Sequence, residues 1–205
     1  VAGSVQDWAH QAAAFIASVS EQAILANGRF IMALSGGSTP KTLYKTLASP
    51  NWKIRLDWKK IHFLFGDERC VPPDHQDSNF NMVQASLFHP LAIPPNHIFR
   101  MKGEGEDPSP VAREYEQTIR QLTETQPPAM PRIDLVLLGL GDDGHTASLF
   151  PGTSALQETK KIVTVGHAPT GIRSRLTLTL GVLNQAAMVL FLVTGAGKAK
   201  TVRAV

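Results

Sequence analysis

The most reactive arrangement in this chain is a histidine beside carboxylates on a glycine-rich turn. In Ile133-Asp-Leu-Val-Leu-Leu-Gly-Leu-Gly-Asp-Asp-Gly-His-Thr-Ala-Ser-Leu-Phe-Pro151, an apolar run breaks into Gly139, Gly141 and Gly144, with Asp142, Asp143 and then His145. An imidazole titrates near neutrality and a neighbouring carboxylate can orient it, so His145 is a candidate general base. Ser35-Gly36-Gly37-Ser38-Thr39-Pro40 offers different chemistry. A glycine-rich turn that opens a helix presents unpaired N–H groups and hydroxyls, the ordinary means of holding a phosphate. Lys198, beside Gly195 and Gly197, could add a point charge for the same anion, and Gly66-Asp67-Glu68-Arg69-Cys70 brings a third polar cluster to a strand end.

Four rival readings meet the same residues. Gly139-Leu-Gly-Asp-Asp-Gly144 satisfies the dinucleotide pattern G-x-G-x-x-G, yet two aspartates inside the loop would repel a pyrophosphate, and no acidic strand end follows at the usual distance. A Walker A loop would need Gly-Lys-Ser/Thr, which the turn after Leu34 lacks. Ala33-Leu-Ser35-Gly-Gly37 is one substitution from a nucleophile elbow, with Asp67 and His145 following in Ser–Asp–His order. That Ser35 follows the first strand, however, leaves no earlier strand–loop to supply an oxyanion donor. Asp74, His75 and Asp77 match no strong metal spacing and read as a solvated loop, and Cys70 reads as a structural thiol.

These residues need strands to carry them. Leu135–Leu138 is an unbroken apolar run of the kind a doubly covered parallel strand requires, and Phe30–Leu34, Ile61–Phe65 and Ala187–Val193 are similar. Ile98–Met101 and Ile162–Val165 read as further short strands. Leu176, Leu178 and Leu180 alternate with Thr177 and Thr179, which gives that segment one polar face. Between them lie helical stretches. Val5, Trp8, Ala12, Phe15, Ile16 and Val19 recur at helical spacing up to Asn27-Gly28. Further helices are expected over 41–47, capped by Ser38 or Thr39, over 78–88 after a Ser78-Asn79 cap, over 111–123 with Tyr115, Ile119 and Leu122 on one face, and from Lys198 onward. Strands alternating with helices predict an α/β fold, an open, mostly parallel sheet with helices on both faces in a Rossmann-like, three-layer arrangement. Active residues would then gather beyond the carboxyl ends of the strands.

Composition sets outer limits. At 205 residues, one domain is the default. The net charge of +3, from 20 basic and 17 acidic residues, is mild, suiting a small anionic ligand and giving little reason to expect a nucleic-acid partner. Cys70 is the single cysteine, so no internal disulfide can form and a reducing, cytoplasmic setting is expected. The start, Val1–Asp7, has no signal-peptide pattern, and Met188–Val193 is far too short to span a bilayer, so no membrane association is expected.

Four strand ends taken together resemble the 6-phosphogluconolactonase family. They are Leu34-Ser-Gly-Gly-Ser-Thr-Pro40; Gly66-Asp-Glu-Arg69 with Asp77-Ser-Asn79; Gly139–Pro151; and Arg175-Leu-Thr-Leu-Thr-Leu180 followed by Thr194-Gly195. The Ser-Gly-Gly-Ser/Thr turn alone is shared with glucosamine-6-phosphate deaminases. The resemblance implies one lactonase-like domain over residues 1–205, without the further strand and helix with which family members generally continue. It implies hydrolysis of 6-phospho-D-glucono-1,5-lactone to 6-phosphogluconate, in the oxidative pentose phosphate pathway, with a phosphosugar lactone as the partner. A lactone is an activated ester, so water and one base suffice, with no metal, cofactor or covalent nucleophile. His145 would deprotonate the water, Asp143 would orient the imidazole, and Arg69 would meet either the oxyanion or the phosphate. Ser35, Gly36, Gly37, Ser38, Thr39, Lys198 and Arg175 (with Arg173 as its alternative) would grip the phosphate, and Asp67 would join the substrate-binding set. The rival outcomes are a deaminase, which would release ammonia; a non-catalytic sugar-phosphate module; and a serine hydrolase dependent on Ser35.

Overall fold

The computed structural model describes residues 5–205; Val1–Ser4 lie outside it, as do the side chains of Val5 and Gln6. In chain order the elements are α1 (Val5–Asn27), β1 (Phe30–Leu34), α2 (Ser38–Leu47), α3 (Pro50–Lys53), β2 (Ile61–Phe65), β3 (Asp67–Arg69), α4 (Asn79–Val83), α5 (His89–Leu91), α6 (Pro108–Thr123), β4 (Leu135–Leu138), β5 (Val163–His167), β6 (Ser174–Leu178), α7 (Leu180–Gln185), β7 (Val189–Phe191) and α8 (Ala199–Ala204). One turn of π-helix, Gln84–Phe88, joins α4 to α5, so the helix expected from Ser78 to Phe88 is present but not uniform. Ser78 caps it through its hydroxyl, which accepts from Asn81 N at 3.1 Å.

Two sheets form. One is fully parallel, in the order β2-β1-β4-β7, and the other is antiparallel, in the order β3-β6-β5. The mostly parallel sheet with helices agrees with the expectation; the second sheet is an addition to it. Gly66 stitches the two together, its N–H donating to Leu34 O and its carbonyl accepting from Leu178 N, both at 2.8 Å. The core is continuous. Phe30, Met32, Leu34, Leu43, Leu47, Phe63 and Phe65 are fully buried, each contributing about 1.5–3 kcal/mol from apolar area removed from water.

Strand order explains where a site must lie. The chain leaves β1 towards β2 on one side and leaves β4 towards β7 on the other, so the connections diverge between β1 and β4. A crevice opens at such a point beyond the carboxyl ends of the strands. The turns that emerge there are Ser35–Thr39 and Gly139–His145.

Buried hydroxyls fix these strand ends. Tyr44 accepts from Ser35 N at 3.0 Å and donates to Ser35 O at 2.8 Å, while Tyr115 accepts from Phe65 N at 2.7 Å and donates to Phe99 O at 3.0 Å. These are the chain's two tyrosines. Burial pushes both phenols far above the usual tyrosine range, against the pull of their own hydrogen bonds, so they stay protonated and able to donate.

Several local expectations need correction. Helix α2 starts at Ser38, not Lys41; Gly37 is the cap residue with φ 104°, and neither Ser38 nor Thr39 caps through its side chain. The buried stripe of α1 is Ala9, Ala13, Ile16 and Ser20, whereas Phe15 is 37% exposed; small side chains let the helix approach closely, and the larger ones flank the contact. Ile98–Met101 is no strand. It makes one bridge to Phe63, and the carbonyl of Phe99 goes to the Tyr115 hydroxyl. Strand β7 is not a buried strand. Among the described residues it has β4 alone as a neighbour, and Phe191 is 52% exposed. Thr177 and Thr179 are fully buried, so the polar face of that segment turns inward: Thr177 Oγ1 accepts from Ser148 N at 3.2 Å and Thr179 Oγ1 donates to Lys161 O at 2.7 Å.

Candidate active site

A cavity of about 360 Å³ lies over the divergence point and is lined by the Ser35–Pro40 turn, Asp67, Arg69, Asn79, His145, Arg175 and Lys198 among others. That size falls within the usual range for small-molecule sites. The glycine-rich turn and His145 thus face the same space. Arg173 does not; it lines a neighbouring hollow with Asp143, Phe150 and His167, whereas Arg175 lines the cavity itself.

The histidine is held from two sides. Its Nδ1 lies 2.5 Å from Asp143 Oδ1, and its backbone N–H donates to the same oxygen at 3.2 Å. An ionised carboxylate only accepts, so in a neutral imidazole here the ring proton sits on Nδ1 and Nε2 keeps its lone pair. Burial nudges the Asp143 carboxyl up, but the hydrogen bonds from His145 outweigh it and hold the group below its ordinary value. Phe150 packs on the imidazole at 4.2 Å between ring centroids. No helix continues from this turn, unlike in a dinucleotide fold. Gly141 serves the pair instead: a Cβ there would lie 2.1 Å from His145 Nδ1 and 2.6 Å from Asp143 Oδ1.

Three elements bring candidate anion-holding groups to the cavity. Helix α2 points its first turn at the cavity, where helix geometry leaves the N–H groups of Ser38 and Thr39 without intrahelical acceptors. Thr39 Oγ1 meets Thr194 Oγ1 at 2.8 Å, joining this turn to the chain beyond β7. Strand β3, by sequence no more than a polar strand end, pairs with β6 and places Arg69 directly opposite Arg175. Like charges facing each other across strands are unfavourable. Burial first, and Arg69 second, lower the Arg175 pKa, and its Nε is buried with no partner. Two paired arginines, one with an unused donor, form a place that an anion would relieve. Arg69 also donates to Asp77 O.

Asp67 is held by two neighbouring side chains. Although it lines the cavity, Ser148 Oγ donates to its Oδ2 at 2.6 Å and Asn79 Nδ2 to its Oδ1 at 3.2 Å. It therefore braces the site. Ser35 Oγ is buried without a hydrogen-bond partner, so the Ser–His contact of a serine hydrolase is not formed. Lys198 reaches the cavity while paired to Asp142 at 2.6 Å. Among the described residues no cluster of His, Cys, Asp or Glu is arranged to hold a metal ion.

A family model described as glucosamine-6-phosphate isomerases/6-phosphogluconolactonase matches residues 3–205. The chain belongs to this family. Among relatives, a 6-phosphogluconolactonase of the cyanobacterium Nostoc sp. is 43% identical over 178 residues, covering 87% of this chain and 72% of its own. One from Synechocystis sp. is 44% identical over 177 residues, covering 86% and 71%. Among solved structures, the 6-phosphogluconolactonase of Trypanosoma cruzi superposes with a TM-score of 0.86 at 34% identity, covering 97% of this chain and 80% of that one. That of Trypanosoma brucei gives 0.84 at 33%, covering 98% and 83%.

Beside this lactonase-like frame, sequence reasoning assigns Asn79 only to a helix cap and a family motif, and gives Glu68, Ser148 and Phe150 no role in the site. Glu68 is buried and accepts from the backbone N–H groups of Arg69, Asn79 and Phe80 at 2.7–2.8 Å, anchoring the start of α4 to β3. Burial raises its carboxyl against the pull of those donors. Asn79 Oδ1 abuts Gly36, where an added Cβ would lie 1.9 Å from it. Gly36→Ala should therefore displace the cradle. We expect KM to rise by about tenfold or more, since misplacing a binding group by 1 Å is costly, with kcat less affected; steady-state kinetics would show the split.

Proposed function

We propose that this chain hydrolyses 6-phospho-D-glucono-1,5-lactone to 6-phosphogluconate, the lactone-opening step of the oxidative pentose phosphate pathway. The observation that carries the reading is one cavity lined by His145, the glycine-rich turn, Arg69 and Arg175. The phosphate rests on the first turn of α2, with Arg175 and Lys198 as cations, and its binding brings the lactone carbonyl to His145. Nε2 of His145 takes a proton from water as the oxygen bonds to C1, and Asp143 stabilises the imidazolium that results. Arg69 offsets charge on the tetrahedral oxyanion. Collapse breaks the C1–ring oxygen bond, and His145 returns the proton to the departing ring oxygen, leaving an open-chain acid.

In this reading residues 1–205 act as one domain, and the lone free thiol, Cys70, suits a reducing compartment such as the cytoplasm. No helix among the described residues is long and apolar enough to cross a membrane. The test is a pH-stat assay with freshly prepared lactone, corrected for spontaneous opening. Acid release proportional to enzyme supports the assignment; release at the spontaneous rate, or ammonia from glucosamine 6-phosphate instead, overturns it. Arg175→Ala should raise KM by about tenfold to a hundredfold, the worth of a charge-assisted bidentate contact. A change confined to kcat would move Arg175 into the chemistry.

A further inference from the structure

The turn that carries the base is fastened to the element that carries the lysine. Asp142 Oδ1 lies 2.6 Å from Lys198 Nζ, and Thr201 Oγ1 donates to Asp142 O at 3.2 Å. The side chain of Val205 reaches the far side of the same turn, 3.6 Å from where a Cβ on Gly144 would stand. Lys198, Thr201 and Val205 are spaced by three and four residues, so one stripe of the α8 segment lies along the turn. The side chain of Asp142 is 90% exposed and adds nothing to the core, whereas that of Lys198 is 27% exposed and faces the cavity. An ammonium carries three donors; Asp142 occupies one and leaves two for an anion. Within the turn, Gly141 N donates to His145 O at 2.8 Å, so Asp142 lies in a loop closed by a backbone bond to the residue that bears the imidazole.

We propose that Asp142 is a positioning residue that ties Lys198 to the turn bearing His145, so that the phosphate anchor and the base are held as one unit. This rests on the lactonase reading above. Asp142 touches neither the substrate nor the reacting atoms; it acts through Lys198 and through its own backbone. The carboxylate sets where the lysine waits, and the lysine, once on the phosphate, holds the turn at the distance the sugar spans.

The experiment is a double-mutant cycle over Asp142→Ala and Lys198→Ala, read in lactone kinetics and in inorganic phosphate affinity by calorimetry. Asp142→Ala should lower kcat/KM about threefold to fivefold, the scale of an exposed ion pair, with part of the loss in kcat and an unchanged melting temperature. Asp142→Glu should restore most of it. With Lys198→Ala already present, Asp142→Ala should change kcat/KM by less than about twofold, because coupled residues are not additive. An equal loss in both backgrounds overturns the proposal, as does a lower KM with unchanged kcat, which would make the carboxylate a competitor of the phosphate. If the wild type opens no lactone, the lactonase reading fails by itself. The cycle is then decided in phosphate affinity, where the tie requires Asp142→Ala to weaken binding when Lys198 is present and not when it is absent.

Discussion

His145→Ala should lower kcat by roughly 10²–10⁴-fold, the usual worth of a positioned general base, with KM and melting temperature close to those of the wild type. In the proposed reading the phosphate is held by α2 and β6, not by this turn, so binding should survive the loss of the ring. The side chain of His145 lies at the cavity and outside the apolar core, so truncating it should cost the fold little. Spontaneous opening sets the floor of the measurement, and initial rates must be taken with freshly prepared lactone. Turnover near the wild-type value would take His145 out of the mechanism.

Gly141→Ala should come close to that loss without touching a reactive group. A methyl at Gly141 would stand 2.1 Å from His145 Nδ1 and 2.3 Å from its Cε1, well inside contact distance. The ring or the Asp143 carboxylate must move, which parts the pair that fixes the proton on Nδ1. Since a misplacement of about 1 Å costs on the order of 10²-fold, kcat should fall by about that factor with KM little changed. Stopped-flow or pH-stat kinetics on the purified variant would show it. Wild-type kcat would mean that room for the imidazole is not why this position is a glycine.

Much of this site is legible in the sequence because its parts sit at strand ends. Leu135–Leu138 and Phe30–Leu34 are unbroken apolar runs, and each gives way to a polar, glycine-rich turn, so both turns can be placed on one edge from the residue pattern alone. Distances across the cavity are not legible. That Arg69 stands opposite Arg175 depends on a three-residue strand, Asp67–Arg69, whose composition is wholly charged and carries no strand signal. The bracing role of Asp67 depends on Ser148, 81 residues away, and on Asn79. Asn79 and Ser148 lie inside motifs that sequence alone can quote, but a hydrogen bond between distant segments has no local signature. Exposure misleads for a similar reason: Phe15 and Phe191 look like core residues by type, and only the packing of α1 and the edge position of β7 put them outward.

A crystal structure of the protein with bound 6-phosphogluconate tests the central claim most directly, that one sugar spans from the cradle to the base. The account predicts phosphate oxygens on the N–H groups of Ser38 and Thr39 and on the Arg175 guanidinium, with the C1 carboxylate within about 3.5 Å of His145 Nε2, a near-attack distance. Density for the phosphate beside His145, or for the whole ligand in the aromatic groove of Phe80, Phe88 and Tyr115, would contradict it.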